Sequence, residues 1–186
     1  MASINEKAKM NNCVYRITCV LILMCCTMAV RAQEAVEPRP SPLAIAAFQQ
    51  GDTYIKIVYS RPHKRGRQIF GSELAPYGKV WRFGANESTE ITLTGDIKVK
   101  GKTLNAGTYS MYVIPEEDEW TIIFNRVLGE WGAFNYDQRK DALRVKVPTR
   151  STPVTYEPLT ILFDERGTNI TVAWDDTQVV LPIRLL

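Results

Sequence analysis

The sequence has 186 residues, with 23 Lys and Arg against 20 Asp and Glu, a net charge of +3, one histidine and four cysteines. Cys13, Cys19, Cys25 and Cys26 all lie in the first 32 residues, as do the basic residues that make up the excess charge, Lys7, Lys9, Arg16 and Arg31, beside one acid, Glu6. The remaining stretch of about 150 residues balances its charges and has no thiol, which excludes disulfides, thiolate metal sites and cysteine nucleophiles, and gives no basic surface for nucleic acid.

Lys7, Lys9 and Arg16 precede an apolar run from Ile17 to Val30. Val30 and Ala32 supply small residues at the third and first positions before a cleavage point, so residues 1–32 read as a secretory signal. The apolar run is about 14 residues, short of the roughly 20 of a spanning helix, so no stable membrane span is expected after cleavage. Met24 stands before Cys25, where lipidation needs a small residue. Residues 33–50, with Pro38, Pro40 and Pro42, read as an N-terminal linker. Residues 51–186 read as the folded domain.

That domain alternates with period two. Thr53, Ile55, Ile57 and Tyr59 share a face; Ile91 with Leu93, then Ile97 with Val99, follow. Lys100-Gly101-Lys102 is a turn. Tyr109, Met111 and Val113 form a strand closed by Pro115, and Trp120, Ile122 and Phe124 form the next. Leu143 to Val147, Leu159 to Phe163, Ile170 to Trp174 and Val179 to Ile183 complete the series, with tight turns expected at Arg166-Gly167 and Asp175-Asp176. The pattern predicts an all-β fold, an antiparallel β-sandwich or barrel-like single domain. Short helices are expected near Ser72 to Tyr77 and Asp137 to Ala142.

Three stretches break the alternation: the cationic segment Ser60 to Gly71, the run Tyr77 to Glu87, and Gly129 to Asp137. Local rules fail most often at functional or strained sites, so these three are expected to share one surface. The second packs Trp81, Arg82, Phe83, Asn86 and Glu87 together, a mixture suited to a pocket wall.

Ser60-Arg61-Pro62, Ile69-Phe70-Gly71, Pro76 to Arg82, Gly84 to Glu87, Ala106 to Ser110, Trp120 to Asn125, Trp131-Gly132-Ala133 and Asn135-Tyr136-Asp137 occur in that order. Together they resemble the bacterial domain-of-unknown-function family 2911, over about Thr53 to Ile183. The resemblance implies an exported protein of Gram-negative bacteria, periplasmic or secreted, and implies no mechanism. An asparagine-synthesis label borne by some relatives finds no support in these residues, which include neither an N-terminal cysteine nucleophile nor a phosphate-cradling loop.

The chemistry admits several readings. His63, the single histidine, is the one candidate for a Ser-His-Asp base, but no Gly-x-Ser-x-Gly elbow accompanies it. One His and no Cys leave no zinc set, and the acidic runs Glu116 to Glu119 and Asp175-Asp176 read as solvated turns rather than calcium loops. No metal or cofactor is expected. Glu87, Glu130 and Asp137 are candidate carboxylates for glycoside hydrolysis, with Trp81, Trp131 and Tyr136 as sugar-stacking rings. Arg61 and Arg82 either grip a carboxylate or phosphate beside these rings, or form internal pairs, Arg82 with Glu87 and Arg61 with Asp137. The leading expectation is a non-enzymatic exported domain that binds a small polar ligand, glycan or envelope partner through Arg61, Arg82, Asn86, Glu87, Trp131, Tyr136 and Asp137. The alternatives are a carboxylate-dependent hydrolase of envelope carbohydrate, and a structural domain in which these groups only lock loops.

Overall fold

A computed structural model describes Tyr15, Arg16, Cys19 and residues 38–186. The chain divides into two compact units, Met1–Pro38 and Arg39–Leu186. In the first, Tyr15, Arg16 and Cys19 are helical; the rest of the expected leader lies outside the described residues, as do residues 33–37 of the expected linker. No helix among the described residues is long and apolar enough to cross a membrane.

The second unit is all-β. Its strands are β1 (Leu43–Gln50), β2 (Thr53–Ser60), β3 (Thr89–Leu93), β4 (Ile97–Val99), β5 (Lys102–Leu104), β6 (Gly107–Pro115), β7 (Glu119–Asn125), β8 (Asp141–Phe163) and β9 (Asn169–Leu185). They form one open antiparallel sheet in the order β1-β2-β3-β6-β7-β8-β9-β4-β5. Alternation sets the buried face. Ile55, Ile57 and Tyr59 of β2 are buried, and Met111 and Val113 of β6 sit opposite Phe124 and Ile122 of β7 on the same core side. Each such side chain contributes about 1.5–3 kcal/mol on full burial. The β4–β5 hairpin follows β3 in sequence but pairs with β9 at the far edge, Val99 opposite Ile183. Its turn places Lys100 at φ 49° and Gly101 at φ 81°, the two left-handed residues of a two-residue hairpin loop.

The sheet curls until β2 meets the C-terminal half of β8. The Ile161 N–H donates to the Tyr59 hydroxyl at 3.0 Å, and Leu159 N–H to the Pro62 carbonyl at 2.9 Å. An aromatic cluster fills the enclosed space. Trp81 stacks on Trp174 at 5.7 Å between ring centroids, and Phe70 lies 4.8 Å from Trp120.

Five expectations need correction. Leu43–Gln50, placed in the linker, form β1, because Ala46 is buried and Phe48 stacks on Phe163 at 6.0 Å. Asp175-Asp176 does not turn the chain: Asp175 takes φ 57° inside a continuous β9, opposite a register shift in β8. The segments expected as separate strands at Leu143 and Leu159 are likewise one long β8, whose exposed middle carries that shift. Between Ser72 and Tyr77 there is no helix, since Gly71 sits at φ 77°, Gly71 N–H bonds to Ala75, and Pro76 follows. The helix expected from Asp137 is a single 3-10 turn, Gln138–Lys140.

The β8–β9 turn carries a pH signature. Asp164 accepts from the Thr168 backbone at 2.7 Å and from the Asn169 side chain at 2.8 Å. Hydrogen bonds from Thr168 and Asn169 hold its carboxyl down at about 2. The stability this confers is fully present above the ordinary aspartate range near 4 and is lost as pH falls through about 2. Asp164→Asn is expected to flatten the urea midpoint between about pH 4 and 2; an acid slope identical to that of the parent would refute the assignment.

Candidate functional site

The run Val80 to Ser88 begins where Trp81 bridges β6 at Val113 and ends where β3 starts. Trp81 and Val113 exchange both backbone hydrogen bonds, at 2.7 and 2.9 Å, and the Trp81 indole donates to the Gly84 carbonyl at 3.2 Å. Between these ties Phe83 and Asn86 adopt φ of 60° and 59°. Left-handed backbone at a bulky residue costs about 1–3 kcal/mol and clusters at functional sites. The Thr89 hydroxyl holds it by donating to the Phe83 carbonyl at 2.8 Å, with Phe83 itself fully buried. Gly84 is needed for close approach: a Cβ there would lie 3.1 Å from the Ser60 carbonyl.

The segment Gly129 to Gly132 zips onto this run. Ser88 N–H donates to the Glu130 carbonyl at 2.9 Å and Gly132 N–H to the Asn86 carbonyl at 3.1 Å, so Glu87 and Trp131 are bridge partners. Two of the three interruptions therefore meet. The zipper leaves Trp131 59% and Phe134 86% exposed, an unusual presentation for such large rings.

Arg82 lies in the cleft between the two segments, a cavity of about 290 Å³ whose walls include Glu73, Pro76, Trp81, Ala133 and Phe134. The expected pair with Glu87 does not form, and no carboxylate among the described residues pairs with Arg82. Its Nε is buried with no hydrogen-bond partner among the described residues. Burial pushes the guanidinium down from its ordinary value. A desolvated cation without a counter-charge is a costly arrangement unless something supplies the anion.

Glu87 is held elsewhere. Arg39, in the segment expected as linker, donates to its Oε1 at 2.8 Å, and this hydrogen bond holds the carboxyl below the usual range. Glu87 Oε2 and Ser60 Oγ are both buried without a hydrogen bond among the described residues, and they line a common cavity of about 310 Å³ with Tyr59 and Glu90. The Ser60 hydroxyl lies near enough to favour the charged carboxylate.

The other candidates serve the framework. Arg61 does not reach Asp137: its Nε donates to the Leu159 carbonyl and its Nη2 to the Thr160 hydroxyl, both at 3.0 Å, tying β2 to β8. His63 bridges Pro158 of β8, and its carbonyl accepts from Arg67 at 2.7 Å. The first interruption is thus a strap onto β8, apart from Ser60. Asp137 caps the 3-10 turn, accepting from the Arg139 backbone at 3.0 Å, and its side-chain hydrogen bonds with Arg139 lower its pKa. Tyr136 packs edge-on against Tyr112 at 5.0 Å and donates to Asp141 Oδ2 at 2.7 Å, while Arg144 donates to its hydroxyl. Burial, then the Asp141 contact, push its pKa up to about 12. Tyr136→Phe is expected to cost about 1–3 kcal/mol by stripping a shared partner from Asp141 and Arg144. A melting curve unchanged by the substitution would contradict this structural role.

Sequence reasoning passed over Phe134, Glu73 and Arg39. Phe134 lies in the third interruption with Trp131, and its signal is an aromatic that follows Gly132 and Ala133 in a loop. Arg39 and Glu73 carried no local signal, since their roles arise from long-range contacts.

No curated protein and no solved structure matches the chain. A family model matches residues 41–183, from before β1 into β9, covering every candidate from Arg61 to Asp137 but leaving out Arg39. The chain therefore belongs to the family described as "Protein of unknown function (DUF2911)".

Proposed function

We propose that this protein is an exported binding domain, without catalysis of its own, whose cleft at Arg82 receives the anionic group of a small polar ligand. The unpaired, half-buried Arg82 carries this reading. A guanidinium takes a carboxylate or phosphate bidentately, and the buried Nε supplies a donor that no described residue uses. The other walls narrow the ligand. Phe134 offers an exposed ring face and Glu73 an exposed acceptor for hydroxyls. A volume of about 290 Å³ lies at the small end of ligand pockets. An acidic sugar meets all three demands: carboxylate, hydroxyls and a flat apolar ring face. The leader pattern of residues 1–32 supports export, with cleavage after Ala32. The curled sheet serves as a barrel-like sandwich that holds the two loops at its rim.

Binding is preferred to hydrolysis on electrostatic grounds. A glycosidase acid needs a raised pKa, and Glu87 and Asp137 are both lowered by arginine partners. Calorimetric titration of the parent with glucuronate and with glucose tests the reading. Glucuronate is expected to bind at least about tenfold more tightly, a difference of about 1.4 kcal/mol, and to lose that margin in Arg82→Met. Equal binding of the two sugars would refute it.

A further inference from the structure

We propose that the groove between the β4–β5 hairpin and strand β8 is a second ligand site, which binds an amphipathic anion: a phosphate or carboxylate carried on a hydrocarbon body. The groove has a volume of about 590 Å³ and is lined by Lys100, Lys102, Arg144 and Lys146 around Ile114, Thr121 and Val145. It shares no lining residue with the Arg82 cleft and does not depend on the reading given for that cleft.

The fold explains why cations gather there. β9 carries the hairpin to the far edge of the sheet, and the Lys100 N–H fixes its tip on the Pro182 carbonyl at 2.9 Å. From that position Lys100 Nζ donates to the Lys146 carbonyl at 2.5 Å and Lys102 Nζ to the Arg144 carbonyl at 3.4 Å. Both ammonium groups thus rest on neutral carbonyls, and neither pairs with a carboxylate among the described residues. Arg144 and Lys146 do have acid partners, Asp141 and Glu119. The rim therefore holds four cations against two acids, a local excess of positive charge.

The floor explains the apolar half of the ligand. Tyr112 and Ile123 pair across β6 and β7, and the next pair on the same face is Ile114 with Thr121. Tyr112 and Ile123 are fully buried, with Tyr136 packed on Tyr112. Ile114 and Thr121 are only half-buried, so the apolar strip runs out from under that cover into the groove. A bare anion leaves this strip wet. A neutral amphiphile leaves Lys100 and Lys102 without a counter-charge. An anion with a hydrocarbon body satisfies both, with the lysine stems lying along it and their heads at its charge.

Titration calorimetry of the full chain with dodecyl phosphate below its micelle concentration tests the site, with inorganic phosphate and dodecyl maltoside as parallel arms. Dodecyl phosphate is expected to bind at one site, at least about tenfold more tightly than either control. The double variant Lys100→Ala/Lys102→Ala is expected to lose about tenfold or more of that affinity with an unchanged melting temperature, since both side chains are exposed. Ile114→Ser is expected to weaken dodecyl phosphate while leaving inorganic phosphate unaffected. Inorganic phosphate or the maltoside binding as tightly as dodecyl phosphate, no binding of dodecyl phosphate, or full affinity in the double variant would each overturn the proposal.

Discussion

Arg82→Met is expected to leave the domain as stable as the parent or more stable, by about 1 kcal/mol, while removing its affinity for acidic ligands. Most substitutions of partly buried residues destabilise. This one removes a buried Nε that no described residue bonds to and a cation that burial already disfavours. An unsatisfied buried donor costs about 1–3 kcal/mol, and a methionine of similar length fills much of the same space without that donor. A gain of stability with loss of binding is the mark of a site maintained against the fold's own preference. Urea denaturation checks it. A loss of more than about 1 kcal/mol in Arg82→Met would mean that the guanidinium is a structural tie, as Arg61 is.

Trp81→Ala is expected to have the largest effect on stability, about 3–5 kcal/mol. Trp81 is 4% exposed and packs against Phe70, Phe83, Trp120 and Trp174. It also bridges Val113, so a cavity here loosens the run that carries Arg82. The contrast is Trp131→Ala. That ring is largely exposed, and its loss is expected to change stability by no more than about 0.5 kcal/mol. The two melting curves separate the residues: similar losses in both would show that Trp131 packs as core, and the exposed aromatic rim would be lost.

What the sequence reveals follows from the range of the forces involved. Period-two alternation is local and reports the buried face directly, which is why Ile55, Ile57, Met111, Val113, Ile122 and Phe124 are readable one strand at a time. Strand order is not local. Nothing in Ile97-Lys98-Val99 says that the hairpin leaves its neighbour β3 to pair with β9. The long strands β8 and β9 read as shorter pieces because the alternation lapses between Val147 and Leu159 and the Asp175-Asp176 pair imitates turn chemistry, whereas the structure absorbs both as irregularities in continuous strands. The candidate site divides in the same way. Asn86, Glu87 and Trp131 come together because two interruptions hydrogen-bond to each other, while Arg82 faces a separate cleft with Ala133 and Phe134. Arg61, Tyr136 and Asp137 looked similar in type, but contacts with Leu159, Asp141 and Arg139 commit them to the framework. Residue type marks where polar and aromatic groups depart from strand logic. Only the partner of each charge separates a gripping arginine from a tying one.

The central claim is that the buried Nε of Arg82 awaits an acceptor from a ligand. Its N–H resonance in a nitrogen-15 NMR spectrum reports on this directly during titration with glucuronate. The account predicts that this signal moves downfield and exchanges more slowly with water as the ligand saturates, with smaller shifts at Ala133 and Phe134. An Arg82 Nε signal that stays fixed while glucuronate saturates the protein would contradict it.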